Sequence, residues 1–168
     1  MLLGVIALIE FEDLRKNVVS GLSEYLGCTV IRGNQTSEMP KFPFLSYNIT
    51  TYRTRNGGTY GVYEDGKQRI PTKQIWSLTV NSDNYSECAH LVNKAYDWLE
   101  NVGSSFLKDK KIIVESITNI TDRSNILTYE YIYTYGFDCT FYLLNETGDL
   151  SEIKGEIREV DYSSTINI

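Results

Sequence analysis

The segment YEYIYTYGFDCTFYLL, from Tyr129 to Leu144, alternates between two kinds of side chain along almost its whole length. Because successive side chains of a β-strand point to opposite faces, this alternation predicts one strand with an aromatic, apolar face and a mostly polar face. A strand of about 16 residues spans roughly 50 Å, whereas strands usually have about five or six residues. The apolar face carries the odd-numbered residues Tyr129, Tyr131, Tyr133, Tyr135, Phe137, Cys139, Phe141 and Leu143.

Two residues inside this segment depart from its pattern. Gly136 predicts a bulge, a bend or a place where another backbone comes close. Asp138 places a carboxylate in the middle of the polar face, where we expect a charge pair or a backbone hydrogen bond at a sheet edge rather than catalysis. Both residues are therefore predicted to have structural roles.

The composition is that of an ordinary globular domain with an excess of tyrosine. A chain of 168 residues, 42% hydrophobic and 23% charged, predicts one domain with its own core. Its 13 tyrosines suit β-sheets and interfaces, because tyrosine combines a large apolar body with a polar tip. The formal net charge of -6 argues against general nucleic-acid binding, but it suits a channel through which DNA passes without sticking.

Neither the cysteines nor the N-terminal segment indicates secretion or a membrane. Cys28, Cys88 and Cys139 are far apart and outside any CxxC motif, so they predict neither a disulfide framework nor a zinc site, and a reducing compartment fits best. The opening MLLGVIALI lacks a basic n-region and runs into Glu10, so it predicts no signal peptide, and it is too short to span a bilayer. We expect a buried or partner-covered arm there, or the first turns of a helix.

Helical and strand periodicities alternate along the rest of the chain. Apolar residues at spacings of three and four predict a helix from about Ile9 to Leu26, which Gly27 ends. A second helix is predicted from a cap at Ser82 or Asp83 to about residue 102, and Gly103 ends it. Further strands are predicted over 28–31, 44–53, 72–82 and 111–120.

These elements predict an α+β fold with two layers. Strand 44–53 pairs with strand 72–82, and strand 111–120 pairs with the long strand after a turn at 122–125. The expected result is a mixed, mainly antiparallel β-sheet with two helices packed on one face, a long hairpin arm and a C-terminal extension. We assign residues 1–144 to a single domain and residues 145–168 to an extension, which is either a disordered tail or an assembly arm.

A long connection from Arg53 to Pro71 joins the first antiparallel pair. It contains the turn signals NGG and DG within about 20 residues. A connection of this length is either a mobile surface hairpin or a functional arm that orders against a partner. The candidate assembly contacts are Arg53, Arg55, Gly57, Gly58, Tyr60, Tyr63, Lys67 and Arg69.

The sequence contains no recognisable catalytic or cofactor motif. His90, the single histidine, falls within a predicted helix beside its apolar stripe, which indicates a structural or exposed residue. The pair Gly57-Gly58 precedes no helix and follows no Walker pattern. The scattered carboxylates lack metal-ligand spacing: Glu64, Asp65, Glu115 and Asp122. We therefore predict no enzymatic activity, no cofactor and no metal.

Two local markers stand within this order of segments. The more specific one is the signature of the closing strand: Tyr129, Glu130, Gly136, Phe137 and Asp138. The weaker one is the pair Asn34-Gln35 followed by Pro43 and an aromatic residue. With these markers the chain resembles the neck or tail terminator family of tailed bacteriophages. The resemblance covers about residues 12 to 144 and leaves out the N-terminal arm and the C-terminal extension.

The resemblance implies a small α/β subunit that forms a hexameric ring in the neck of the virion. Such a ring caps the tail tube and provides the attachment face for the head connector. The implied partners are further copies of the chain, the tail tube protein and the head-completion or connector protein. No membrane partner is implied. Genomic DNA would pass through the lumen without sequence-specific binding, and assembly would take place in the host cytoplasm.

Two alternatives remain open from the sequence. Another neck component, such as a head-completion or connector adaptor, or a tail tube subunit would also be a small β-rich ring subunit, although the two helices favour the terminator. A small-molecule-binding or hydrolytic α/β domain would instead use the aromatic face as a pocket. Size-exclusion chromatography with light scattering separates these classes, because a ring supports assembly and a strict monomer with a ligand-binding pocket supports the last one.

Overall fold

A computed structural model describes residues 3–34, 38–55, 62–64, 67–124 and 131–147 of the chain. The helices in these residues are α1 (Leu3–Leu26), α2 (Tyr85–Asp97) and α3 (Ser104–Asp109), with a π-helical turn (Trp98–Val102) between α2 and α3. The strands are β1 (Thr29–Arg32), β2 (Phe44–Arg55), β3 (Val62–Glu64), β4 (Lys67–Ser82), β5 (Ile112–Ile117), β6 (Thr121–Asp122) and β7 (Tyr133–Thr147).

All of the described strands belong to one mixed, mainly antiparallel sheet, which confirms the predicted fold class. The main order is β1-β2-β4-β7-β5, while β3 pairs with β4 and β6 with β7. Strand β1 runs parallel to β2, and the other pairs are antiparallel. The two predicted antiparallel pairs, β2 with β4 and β5 with β7, are both present.

Strands β4 and β7 form an unbroken antiparallel ribbon at the centre of the sheet. Their register runs without a shift from Gln68↔Thr147 to Ser82↔Tyr133. At about 3.4 Å per residue, this ribbon is roughly 50 Å long. Strand β7 therefore has the predicted length, although it ends three residues beyond Leu144 and begins at Tyr133. Tyr129 and Glu130 of the signature lie outside the described residues.

The helices cover the face of the sheet that carries the odd-numbered residues of β7. Because side chains alternate along a strand, this face also carries the even-numbered residues of β4, including Trp76 and Leu78. Helices α1 and α2 bury their apolar stripes against it, which confirms the predicted two-layer arrangement. The buried residues that belong to the predicted stripes of β7 and α1 are Phe137, Cys139, Phe141, Leu143, Leu14, Val18 and Leu22.

The helix boundaries differ from the sequence prediction in three respects. Helix α1 begins at Leu3 and not at about Ile9, so the opening segment forms the first turns of the helix, which is one of the two alternatives expected for it. Asn84, and not Ser82 or Asp83, caps α2, because its side-chain oxygen accepts a hydrogen bond from Glu87 N at 3.1 Å. A third helix, α3, follows directly after Gly103, where the sequence predicted only the end of the second helix. The predicted stop at residue 27 is confirmed by its φ of 69°, a left-handed conformation that favours glycine.

Strand β2 carries extra residues relative to β4. Both register shifts of this pair fall between Ile49 and Thr54. The buried amide of Gln74 holds this region, since its Nε2 donates to the Tyr52 carbonyl (3.0 Å) and its Oε1 accepts from Trp76 Nε1 (2.6 Å). An unpaired buried amide would be costly, so Gln74 ties the irregular strand to the core with both ends of its side chain satisfied.

Trp98 fixes α1 against the π-helical turn. Its indole ring lies against Gly21 of α1 and against Gly103, and a Cβ atom at either glycine would overlap the ring. Phe106 of α3 flanks the same indole with a ring-centroid distance of 6.5 Å. The helical layer is therefore interlocked at a point where two backbones leave room for one large side chain.

We expect Gly21→Ala to lower the free energy of unfolding by about 1–3 kcal/mol, because the added methyl group overpacks the Trp98 site. The sign of the change in the free energy of unfolding distinguishes a packed site from an open one, since Gly→Ala at an open helical position raises stability by about 1 kcal/mol. Urea denaturation measures the change. Ser20→Ala, at the exposed neighbouring position, is the control and should stay within about 0.5 kcal/mol of the parent. A Gly21→Ala protein as stable as the parent would contradict the interlock.

Candidate assembly site

The described helices leave the opposite face of the sheet open. Alternate residues of β4 and β7 form this surface, which we call the open face. Most of its side chains are partly exposed and polar, so it has the composition of a surface that contacts water or a partner. Its central residues are Lys73, Ile75, Ser77, Thr79, Asn81, Thr134, Gly136, Asp138, Thr140 and Tyr142.

Arg123 crosses the open face and joins β4 to β7. Its Nη1 donates to Ser77 Oγ (2.6 Å) and Thr79 Oγ1 (3.1 Å), and its Nη2 donates to Asp138 Oδ1 (2.9 Å). Asp138 thus has the charge partner that the sequence predicted, although β7 lies inside the sheet here and not at its edge. The backbone of Asp138 is fixed as well, because its N–H donates to Thr118 Oγ1 (2.8 Å) and its carbonyl accepts from Thr118 N (2.9 Å).

Gly136 leaves the space that the guanidinium group needs. A Cβ atom there would overlap the Leu78 carbonyl oxygen and would lie 2.9 Å from both Arg123 Nη1 and Thr79 Oγ1. Because the pairing Gly136↔Thr79 is in regular register, the glycine marks a close approach and not a bulge or a bend. Phe137, the next residue, is buried on the helical side.

The sequence places Arg123 in a predicted turn and does not indicate its role. In the structure Arg123 directly follows β6, its backbone N–H donates to the Thr134 carbonyl of β7, and its side chain reaches the open face. One signal was available in the sequence. A carboxylate in the polar row of an interior strand needs a cation, and Arg123 is the only lysine or arginine between Lys111 and Lys154.

Part of the predicted hairpin arm is regular β-sheet. Strand β3 pairs with the first residues of β4, from Val62↔Arg69 to Glu64↔Lys67. The connection between Arg53 and Pro71 is therefore not wholly irregular, and it continues the central ribbon outward.

The candidate assembly contacts are distributed over this hairpin. Arg53 is exposed on β2, and Arg55 is the last residue of that strand. Tyr63 lies on β3, and Lys67 and Arg69 lie on β4. Gly57, Gly58 and Tyr60 lie outside the described residues.

The thiols and the histidine are in places that do not favour catalysis. Cys28, Cys88 and Cys139 are free, and burial raises the pKa of each thiol, which favours the less reactive neutral form. His90 is exposed on α2. The described side chains include no group of three or more His, Cys, Asp or Glu residues that could hold a metal ion. Among the helices that the structure describes, none is long and apolar enough to cross a membrane.

Within the part of the chain that the structure describes, the helical layer buries the apolar face of β7 from Phe137 to Leu143. A cleft of about 240 Å³ lies elsewhere, between β5 and the helices, with Tyr96, Lys108 and Glu115 in its wall. Ligand pockets usually measure about 300–1,000 Å³. Glu115 is also paired with Lys73 at 2.6 Å, so this carboxylate already has a cation partner.

Removing Arg123 should weaken the sheet more than an ordinary surface mutation does. We expect Arg123→Ala to lower the free energy of unfolding by about 1–3 kcal/mol, because it leaves Ser77, Thr79 and Asp138 without their donor. Asp138→Asn should lower it by less, because the pair is partly exposed and such pairs contribute about 0–1 kcal/mol.

A double-mutant cycle by urea denaturation isolates the ion pair, and we expect a coupling of about 0.5–1 kcal/mol. The exposed pair between Arg15 and Glu12 on α1, at 2.6 Å, provides the matched control. Its coupling should be about 0.3–0.5 kcal/mol. Zero coupling between Arg123 and Asp138 would show that the pair does not stabilise the fold.

Comparison of the sequence with models of known protein families identifies the family of the chain. A family model described as phage neck terminator protein matches residues 16–168. The match continues past Leu144, so the resemblance seen in the sequence, which stopped there, was too short; a separate extension over residues 145–168 stays a prediction. No curated protein sequence gives a significant match. Since the family model covers most of the sequence, the chain belongs to the phage neck terminator family.

Proposed function

We propose that this chain is a ring-forming tail terminator at the head–tail junction of a tailed phage. The ring, a homohexamer by the resemblance noted in the sequence, caps the tail tube and offers its other face to the head-completion or connector protein. Family membership supports a structural place in the phage neck, and hence in the virion. The proposal needs no catalytic residue and no cofactor.

One observation carries the proposal: the central ribbon continues beyond the part of the sheet that β5 covers. The pairing of β5 with β7 reaches Leu143, whereas β4 and β7 remain paired as far as Gln68↔Thr147. Strand β3 widens this projecting part on the β4 side. Among the described strands, none pairs with the outer edge of β7 beyond Leu143. An edge of this kind can pair with another chain, as a ring of joined subunits requires.

The helical layer favours a terminator over a tail tube subunit. A tube subunit is built mainly from β-strands, whereas α1 and α2 here pack on one face of the sheet around a continuous core. A terminator has to match the tube on one side and the neck on the other, so a rigid two-layer body that carries projecting segments suits it.

Deleting Gly57 to Gly66 should leave a folded subunit that fails to terminate tails. The deletion removes the end of the hairpin but no described core residue. Particle imaging of phage that depends on the variant would show tails of irregular length or tails without heads. An equal-length replacement of the same residues by glycine and serine separates the contribution of their chemistry from that of loop length. Virions with normal tails from both variants would refute an assembly role for the hairpin.

The lumen of the assembled ring should carry more acidic than basic side chains. The net charge of -6 and the passage of DNA motivate this expectation, because a basic lining would retain the phosphate backbone. A structure of the ring on the tail, determined by electron microscopy, tests it directly. A basic lumen would contradict the expectation.

A further inference from the structure

A cluster of tyrosines stands at one end of the central ribbon. Tyr85 is the first residue of α2, and its ring meets those of Tyr133 and Tyr135 at the start of β7. The ring centroids are 5.6 Å and 6.1 Å apart, and both pairs are edge-to-face at 72°. Edge-to-face contacts of this kind are favourable, so the three rings form one connected aromatic cluster.

Much of this aromatic surface is exposed. Tyr85 is 56% exposed and Tyr131, two residues before Tyr133 in the chain, is 88% exposed, while Tyr133 and Tyr135 are half-buried. Single exposed apolar side chains are common, but neighbouring exposed tyrosines are typical of protein interfaces. We call these four residues the tyrosine end.

Exposed carboxylates flank the tyrosine end. Asp83 and Glu87 lie on either side of Tyr85 in the chain, and all three are exposed. Asp122 pairs with Tyr135 in the sheet. The Ser124 hydroxyl and backbone N–H stabilise its charge and lower the pKa of Asp122. A partner that covers the tyrosines would therefore meet fixed negative charge, which favours a basic segment.

The opposite end of the same ribbon carries basic residues. Between Arg53 and Pro71 the sequence has four cations, Arg53, Arg55, Lys67 and Arg69, against the two carboxylates of Glu64 and Asp65. Strand β7 adds one carboxylate at this end, Glu146 opposite Arg69, so the balance of charge here is still basic. The register places Lys67 at one end of β4 and Ser82, which pairs with Tyr133, at the other. The two ends are roughly 50 Å apart, so one subunit cannot bring its own hairpin to its own tyrosine end.

We infer that the tyrosine end of one subunit receives the basic hairpin of the next copy of the chain in the ring. This inference rests on the proposed ring function. Complementary surfaces at opposite ends of one subunit make a heterologous, head-to-tail contact, and contacts of that type form a ring when the rotation between successive copies closes. The tyrosines supply the apolar area of the contact, and the carboxylates set its orientation and discriminate against acidic partners.

Reciprocal charge reversal tests the inference. One variant carries Asp83→Lys and Asp122→Lys at the tyrosine end, and a second carries Arg53→Glu and Arg55→Glu at the hairpin. Each alone should reduce the yield of virions with normal tails by about tenfold or more, because like charges then meet across the contact. The variant with all four changes should restore the yield, since every contact again joins opposite charges.

Co-expression of the two single-end variants should also restore the yield. In an alternating ring, each lysine-bearing end meets a glutamate-bearing hairpin and each native end meets a native hairpin. Lys108→Glu with Lys110→Glu is the matched control, because these exposed cations lie near the hairpin end of the sheet but outside the hairpin. It should neither reduce the yield nor rescue the tyrosine-end variant.

Thermal melting of each purified full-length variant shows whether it folds. Should the tyrosine-end variant unfold, Asp83→Lys alone replaces it, because Asp83 lies outside the strands.

Normal tails from a folded tyrosine-end variant, or no rescue by the fourfold change, would overturn the inference. If the hairpin variant alone fails, the hairpin binds another neck or tail protein; the inference is then wrong and the proposed function stands. If every variant and the hairpin deletion give normal tails, the hairpin has no role in assembly and the proposed function loses its support.

Discussion

The pairing of β4 with β7 is the interaction on which the other parts of the structure depend. Its unbroken register assigns Trp76, Leu78, Phe137 and Phe141 to the same side, and their burial under α1 and α2 makes the core. A slip of one residue would move this apolar set to the open face and bring the polar row inside. The large difference in free energy between these two registers makes the long ribbon adopt one register only.

The same register also builds the polar side of the sheet. Ser77 lies opposite Asp138 and Thr79 lies opposite Gly136, so one guanidinium group can reach hydroxyl and carboxylate groups from two strands. The glycine provides the space and the arginine fills it. A side chain that follows a third strand thereby joins β4 to β7 across the open face.

The sequence predicted the long-range pattern well because that pattern repeats. Period-2 alternation predicted β7 and the part of β4 from Thr72 to Ser82 with their apolar faces, although β4 begins at Lys67, and the spacing of three and four predicted the buried stripe of α1. A short element gives no such repetition. Helix α3 has six residues and directly follows Gly103, which is itself a helix stop signal, so local composition predicted an ending and not a new beginning.

Other differences arose where several residues can fill one local role. Ser82, Asp83 and Asn84 are all suitable helix caps. Only the fold shows that β4 uses Ser82 as its last buried residue, which moves the cap to Asn84. The contact of Arg123 with Asp138 joins residues 15 positions apart in the chain and depends on the path of β6. A strand of two residues is too short to be predicted from a sequence pattern. In the sequence, an ion pair between distant residues such as these is indicated only by a charged residue that has no nearby residue of opposite charge.

The extra residues of β2 bend that strand just before the hairpin. Both register shifts fall within 49–54, and a strand that carries extra residues bends and twists more strongly there. Gln74 connects this curvature to the indole of Trp76 in the core. The course of β2 is thus held from inside the subunit, by a buried amide that hydrogen-bonds to the backbone of Tyr52. A change at position 74 would therefore alter the path of β2 just before the hairpin without changing any exposed side chain of that strand.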